Sequence, residues 1–179
     1  TLCTALACYP SFGGDLAGIR QKLPYLAELG VECLYLTPVF AGDFNHKYAT
    51  TDYFRIDPDF GTAQDLCALV DEAHRKGIRV ILDGVFNHVG VHFAPFADVL
   101  AKGEDSAYRD WFYLKRQPVT IDAACYECVG DYPFMPRLRT ANPDVRAFVE
   151  NVMLPWLKTA KIDGWRLDVA DELDAASVR

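Results

Sequence analysis

The chain has 179 residues, 51% of them hydrophobic, and its 18 Lys and Arg against 25 Asp and Glu give a net charge of −7. This is enough apolar material for one sizeable core, too short for two comfortable domains, and incompatible with disorder through the bulk of the chain. The acidic balance argues against a nucleic-acid or anionic-membrane partner, and no run of about 18 apolar residues is present to form a membrane span.

In chain order, residues 1–14 give no clear element, with Tyr9-Pro10 and Gly13-Gly14 marking a turn. The start at Thr1-Leu2-Cys3-Thr4 carries no basic region, so no signal peptide is visible and a cytoplasmic location is expected. Asp15 to Leu29 has helical spacing of Leu16, Ile19, Leu23, Leu26 and Leu29, with Gly30 as the stop. Val31–Leu36 reads as a buried strand closed by Thr37-Pro38, and a loop is expected from 40 to 61. Thr62 and Asp65 form a capping-box pair ahead of a helix over Ala63–Lys76, whose face is Leu66, Leu69, Val70 and Ala73. Ile78–Val85 is a second buried strand, followed by a long aromatic stretch over 86–141. Asn142-Pro143 opens a third helix carrying Val145, Phe148, Val149, Val152 and Leu157, and Ile162–Val169 is the last strand.

Alternating helices and apolar strands predict a parallel sheet with helical crossovers and both faces covered. Doubly wound sheets and (β/α)8 barrels share that signature. Neither GxGxxG nor GxxxxGK[ST] occurs, so the nucleotide-binding versions have no support. Long loops after strand ends favour the barrel, which takes about 200–250 residues or more, so the chain reads as an α/β partial (β/α)8 TIM barrel. It would be roughly the N-terminal half, residues 1–179, with 90–141 as an inserted loop subdomain after the third strand.

Six cysteines are present. Cys33 and Cys67 lie in apolar runs and read as small core residues in a reducing compartment. Cys125-Tyr126-Glu127-Cys128 is a lone CxxC with no second ligand pair, which reads as plain loop. The charges around Glu72, His74 and Lys76 read as a solvated helix face, and His92 has no assigned partner.

Polar residues sit where the strands end. Asp83 interrupts an apolar run and Asn87-His88 follow it; Arg166 and Asp168 are two apart, so on a strand they share one face. A guanidinium beside a carboxylate favours its charged form, as a glycosidic nucleophile requires. A structural Arg–Asp ion pair explains the same spacing equally well. The loops add Tyr48, Tyr53, Phe86, Trp111, Tyr113, Tyr126, Tyr132 and Phe134, rings able to pack on sugars but equally able to form core.

These stretches resemble the α-amylase family of retaining α-glycosidases, most closely its cyclomaltodextrinase/neopullulanase branch. The matching blocks are Gly13-Gly14-Asp15-Leu16, Leu36-Thr37-Pro38-Val39-Phe40, His46-Lys47-Tyr48 through Asp52-Tyr53, Ile56–Gly61, Asp83–His88, Tyr108–Phe112 and Gly164–Asp168. They cover nearly the whole chain in the family's order. The resemblance implies that Asp168 is the nucleophile and that Arg166 holds it ionised and oriented. It implies that His88 hydrogen-bonds the sugar, that Tyr48 stacks under it, that Asp83 braces Arg166 and that Asn87 shapes the loop. Glu172, in Asp171-Glu172 where the branch often has Asn-Glu, falls on the acceptor side. Gly13 and Asp15 match a calcium motif, but they supply at most two of about six to eight ligands.

No cofactor is required on this reading, with calcium left to a longer parent. The expected partners are α-glucan oligosaccharides or cyclomaltodextrins. No nucleic acid or membrane is expected, and two half-barrels are able to pair. No Glu in 1–179 matches the family's general acid, so the isolated chain is expected to be inactive. The rival reading is a non-catalytic amylase-like sugar-binding or scaffold protein. Residues 1–9 do not match the family's first strand well.

Overall fold

A computed structural model describes residues 12–175. The poor match of residues 1–9 to the family's first strand, and Cys3 and Cys8, lie outside the described residues. Helix α1 spans Leu16–Glu28, with the Asp15 carboxylate accepting from the Gly18 amide at 2.6 Å as its N-cap. Strand β1 is Cys33–Leu36, β2 Phe40–Gly42 and β3 Thr50–Ile56. Helix α2 is Ala63–Arg75, started by the predicted Thr62/Asp65 capping box. Strand β4 is Arg79–Gly84, helix α3 Ala94–Lys102, helix α4 Pro143–Pro155 and strand β5 Gly164–Leu167.

Strands β1, β4 and β5 form a parallel sheet in that order, joined by helical crossovers as expected of the alternating pattern. Central β4 buries Val80 and Leu82 completely. Leu66, Leu69, Val70 and Ala73 of α2 and Val145 and Val152 of α4 supply the buried helical side of the core. A π-helical turn, Trp156–Ala160, extends α4, and its Trp156 indole donates to the Tyr53 carbonyl at 3.0 Å.

Three expectations need correction. The 40–61 stretch is a hairpin rather than a loop: β2 and β3 pair antiparallel, with register shifts on either side of Ala41. Those bulges break the inside–outside alternation that would reveal a strand in sequence. Strand β1 is not covered on both faces. It alternates exposed and half-buried residues, and Cys33 is exposed, because β1 has one neighbour among the described residues and an open face. Cys67 is half-buried and packs against the core. His74 is no idle surface group, since its Nε2 lies 2.8 Å from the Asp163 carboxylate, which also accepts from the Val80 amide at 2.7 Å.

The 86–141 stretch holds α3, two short 3-10 turns at Gly103–Asp105 and Arg109–Trp111, and isolated bridges such as Phe112 to Leu138 and Leu114 to Tyr126. Its own apolar centre is Phe96, whose ring lies 4.8 Å from Phe112 and 4.9 Å from Tyr126. Cys125 is buried there, with its sulfur 3.5 Å from Arg116 Nε and 3.4 Å from Thr120 Oγ1. These donors hold the thiol below its ordinary pKa. His92, left without a partner in the sequence reading, has Nδ1 2.7 Å from an Asp43 carboxylate oxygen.

Candidate active site

The sheet register builds the site. Asp83 of β4 stands opposite Arg166 of β5, one hydrogen-bonded strand away. The ladder continues past β5 as the Asp168 amide donates to the Gly84 carbonyl at 3.1 Å. The Arg166 guanidinium therefore reaches both carboxylates: Nη1 is 3.2 Å from each Asp83 oxygen and 2.5 Å from Asp168 Oδ1. The hydrogen bond to Asp168, and then that to Asp83, raises the arginine pKa beyond its already high ordinary value.

Asp83 is 1% exposed, a burial that costs a lone carboxylate heavily. Its compensation is a full set of donors: the Tyr35 and Tyr48 hydroxyls, the latter at 3.0 Å, and Arg166. Burial, and then the bond to Asp83, pushes the Tyr35 hydroxyl well above its ordinary pKa. Tyr35 was not among the sequence candidates. A tyrosine between Leu34 and Leu36 in an apolar strand was the available signal.

His88 is 2% exposed, and neither ring nitrogen has a hydrogen-bond partner. Burial, which favours neutral imidazole, holds its pKa below the ordinary value against the opposing pull of the Asp168 charge. Buried polar atoms are nearly always paired, and these two ring nitrogens are exceptions that lie beside a cleft. That cleft, about 290 Å3, is lined by His46, Tyr48, His88, Val129, Met135, Asp168 and Val169. Val169 has φ 48°, the left-handed region that a β-branched residue rarely enters. The strain falls on the peptide that follows Asp168, as it does where a functional side chain must be held in one orientation.

Asn87 and Glu172 stand apart from this chain of contacts. Asn87 is fully buried and its amide donates to Glu172 Oε2 at 3.2 Å. Glu172 also pairs with Arg137 Nε at 3.4 Å, and Arg137 reaches Glu127 at 3.2 Å. The sequence reading gave Arg137 no role. Of the eight loop aromatics, Tyr53, Phe86 and Tyr126 are core, 1%, 2% and 0% exposed, and Tyr113 lies against the Arg137 and Arg139 guanidiniums. Tyr48 alone of the eight lines the cleft. Gly13 and Asp15 lie at the start of α1, where Asp15 is used as a cap. No group of three or more His, Cys, Asp or Glu able to hold a metal occurs among the described residues.

A model of the alpha amylase catalytic domain matches residues 7–178. The chain belongs to the α-amylase family. It is 52% identical over 167 residues to neopullulanase 2 of Thermoactinomyces vulgaris, covering 92% of this chain and 28% of that protein. It is 51% identical over 164 residues to a cyclomaltodextrinase of Geobacillus thermopakistaniensis, covering 91% and 28%. Among solved structures, a cyclomaltodextrinase superposes with a TM-score of 0.91 at 46% identity, covering 97% of this chain and 30% of that one. The chain thus spans under a third of the length of these relatives. Its open β1-β4-β5 sheet is one arc of the family's (β/α)8 barrel, with Asp83, Arg166 and Asp168 at the C-terminal strand ends where barrel enzymes carry their chemistry.

Proposed function

We propose that the chain is the nucleophile-bearing part of a retaining α-glucan hydrolase that cleaves α-1,4-glucosidic bonds by double displacement. The observation that carries this reading is the Asp83–Arg166–Asp168 chain opening on a cleft where buried His88 has two unpartnered nitrogens. Relatives named neopullulanase, cyclomaltodextrinase and maltogenic alpha-amylase support α-glucan oligosaccharides or cyclomaltodextrins as substrates.

In this mechanism the Asp168 carboxylate attacks the anomeric carbon as the leaving oxygen takes a proton, giving a covalent glycosyl-enzyme that water then hydrolyses. Arg166 fixes the attacking oxygen. Neutral His88 hydrogen-bonds sugar hydroxyls, and Tyr48 packs under the ring. Retention needs a second carboxylate about 5–5.5 Å away. Asp83 is buried behind Arg166 and Glu172 is held by Asn87 and Arg137, so neither is placed for that role, and the family resemblance implies an acid from the part of the barrel that this chain does not span. No helix among the described residues is long and apolar enough to cross a membrane, and one relative is named an intracellular maltogenic amylase, which supports a cytoplasmic setting.

The test is Asp168→Asn in the full-length protein. It should lower hydrolysis of maltoheptaose below about a thousandth of wild type with an unchanged melting transition. Retained turnover would reject Asp168 as the nucleophile. Tight binding of maltoheptaose by the wild type with no turnover would favour a non-catalytic sugar-binding protein instead.

A further inference from the structure

Lys47 has no place in the chemistry above, yet it is among the most constrained residues of the chain. It is 6% exposed, and its ammonium lies 2.9 Å from Asp57 Oδ2 and 3.3 Å from Asp59 Oδ2, with the Phe60 ring centroid at 5.8 Å. Its φ of 59° is left-handed, a conformation a lysine seldom adopts. Its amide donates to the Phe44 carbonyl at 3.0 Å, and its carbonyl accepts from Thr50 Oγ1 at 3.3 Å, so the peptides on both sides are pinned. Asp57, the inner carboxylate, also accepts from the Gly42 amide at 3.3 Å. One buried charge pair therefore ties the end of β2, the hairpin tip and the chain that leaves β3.

The two neighbours of Lys47 face the cleft. Tyr48 reaches Asp83, its amide donates to His46 Nδ1 at 3.0 Å, and the His46 ring lies 5.8 Å from the Tyr48 ring. Both line the cleft with Asp168 and His88.

We propose that Lys47 is a positioning residue for the sugar platform: its buried ammonium, clasped by Asp57 and Asp59, sets the left-handed turn that aims Tyr48 at Asp83 and seats His46 beside it. The inference rests on the hydrolase reading only for what the platform holds; the positioning itself is a property of this hairpin. A lone buried charge is unfavourable, so the ammonium has one stable seat, and the backbone turn is fixed by where that seat lies.

The experiment compares Lys47→Met, Tyr48→Ala, the double variant and Gly42→Ala in the full-length protein. Gly42→Ala reaches the same turn with the ion pair intact, because its new Cβ would meet Ala49 O at 3.0 Å and Lys47 Cα and O at 3.3 Å. Two readouts are taken on variants whose circular dichroism matches wild type. The first is the 13Cζ signal of tyrosine, assigned to Tyr48 by its loss in Tyr48→Ala. It should move in both Lys47→Met and Gly42→Ala, and an unmoved signal in either folded variant overturns the proposal. The second is steady-state hydrolysis of maltoheptaose. Lys47→Met should raise KM about tenfold with kcat within about threefold, and the double variant should be no worse than Tyr48→Ala alone. Additive losses in that cycle also overturn it. If Lys47→Met does not fold, Gly42→Ala decides by the tyrosine signal. If the wild type has no turnover the hydrolase reading fails, and the tyrosine signal alone judges Lys47.

Discussion

Two residues at the strand ends carry claims sharp enough to test singly. Arg166 spans Asp83 and Asp168 through one nitrogen of a planar guanidinium. A lysine has a compact, freely rotating charge on a flexible stem, without the fixed plane that sets where the N–H bonds of that nitrogen point. Arg166→Lys should cut kcat for maltoheptaose in the full-length protein by about a hundredfold, the scale of losing one oriented electrostatic contact. Activity within twofold of wild type would reduce the pair to the structural bridge that the sequence spacing equally allowed. His88 makes a prediction about pH. Burial lowers its folded pKa below the unfolded value of about 6.5, so above that pH both states are neutral and stability is complete. Below it the unfolded chain takes up a proton that the folded chain refuses. Stability should then fall as the pH drops, by at most about 1.4 kcal/mol per pH unit from this group. Urea midpoints between pH 7.5 and 5.5 should show that slope, and His88→Gln should flatten it. An identical slope in the variant would place the effect elsewhere. At this scale the sequence was informative because strand periodicity puts Arg166 and Asp168 on one face. It was silent on Tyr35 and Arg137, whose roles depend on neighbouring strands and loops rather than on local spacing.

The elements explain why some of the fold was readable and the hairpin was not. Helices α1 and α2 show themselves by 3.6-residue apolar spacing, and α2 also by its cap at Thr62, signals written within one turn of chain. Strand β4 is buried along most of its length and reads as an apolar run. The β2–β3 hairpin has bulged pairing, and its burial follows contacts with distant residues, so no period of two survives in its sequence. Gly90 is where the hairpin meets the chain after β4. Its amide donates to the Thr50 carbonyl at 2.8 Å, and a Cβ there would lie 2.6 Å from the Ala49 carbonyl oxygen and 2.7 Å from Asp43 Oδ2. Backbone on one side leaves little room to relax. Gly90→Ala should cost roughly 1–3 kcal/mol, as overpacking does, read as a lower urea midpoint at unchanged slope. An unchanged midpoint would mean that the hairpin is free to shift on the sheet.

At the scale of the molecule, the sheet sets how the chain behaves by itself. Among the described residues β1 and β5 each have a single strand neighbour, Tyr35 is 42% exposed on β1, and Tyr25 and Leu29 of α1 are 57% and 61% exposed. A groove of about 500 Å3 between α1 and β1 is walled by Leu16, Ile19, Leu26, Leu36 and Val39. Open parallel edges beside apolar surface invite pairing with another chain. Residues 1–179 produced alone should therefore self-associate as concentration rises toward roughly 100 μM, seen as a growing sedimentation coefficient. Cys33→Lys, which puts a charge on the exposed β1 edge, should weaken that association. The associated species should hydrolyse no maltoheptaose, because a second copy brings another Asp168 and no acid. A clean monomer across the concentration range would show that the edges are protected. Turnover by the pure 179-residue chain would show that a carboxylate within it, with Glu172 and Glu127 around Arg137 as the first candidates, supplies the proton after all.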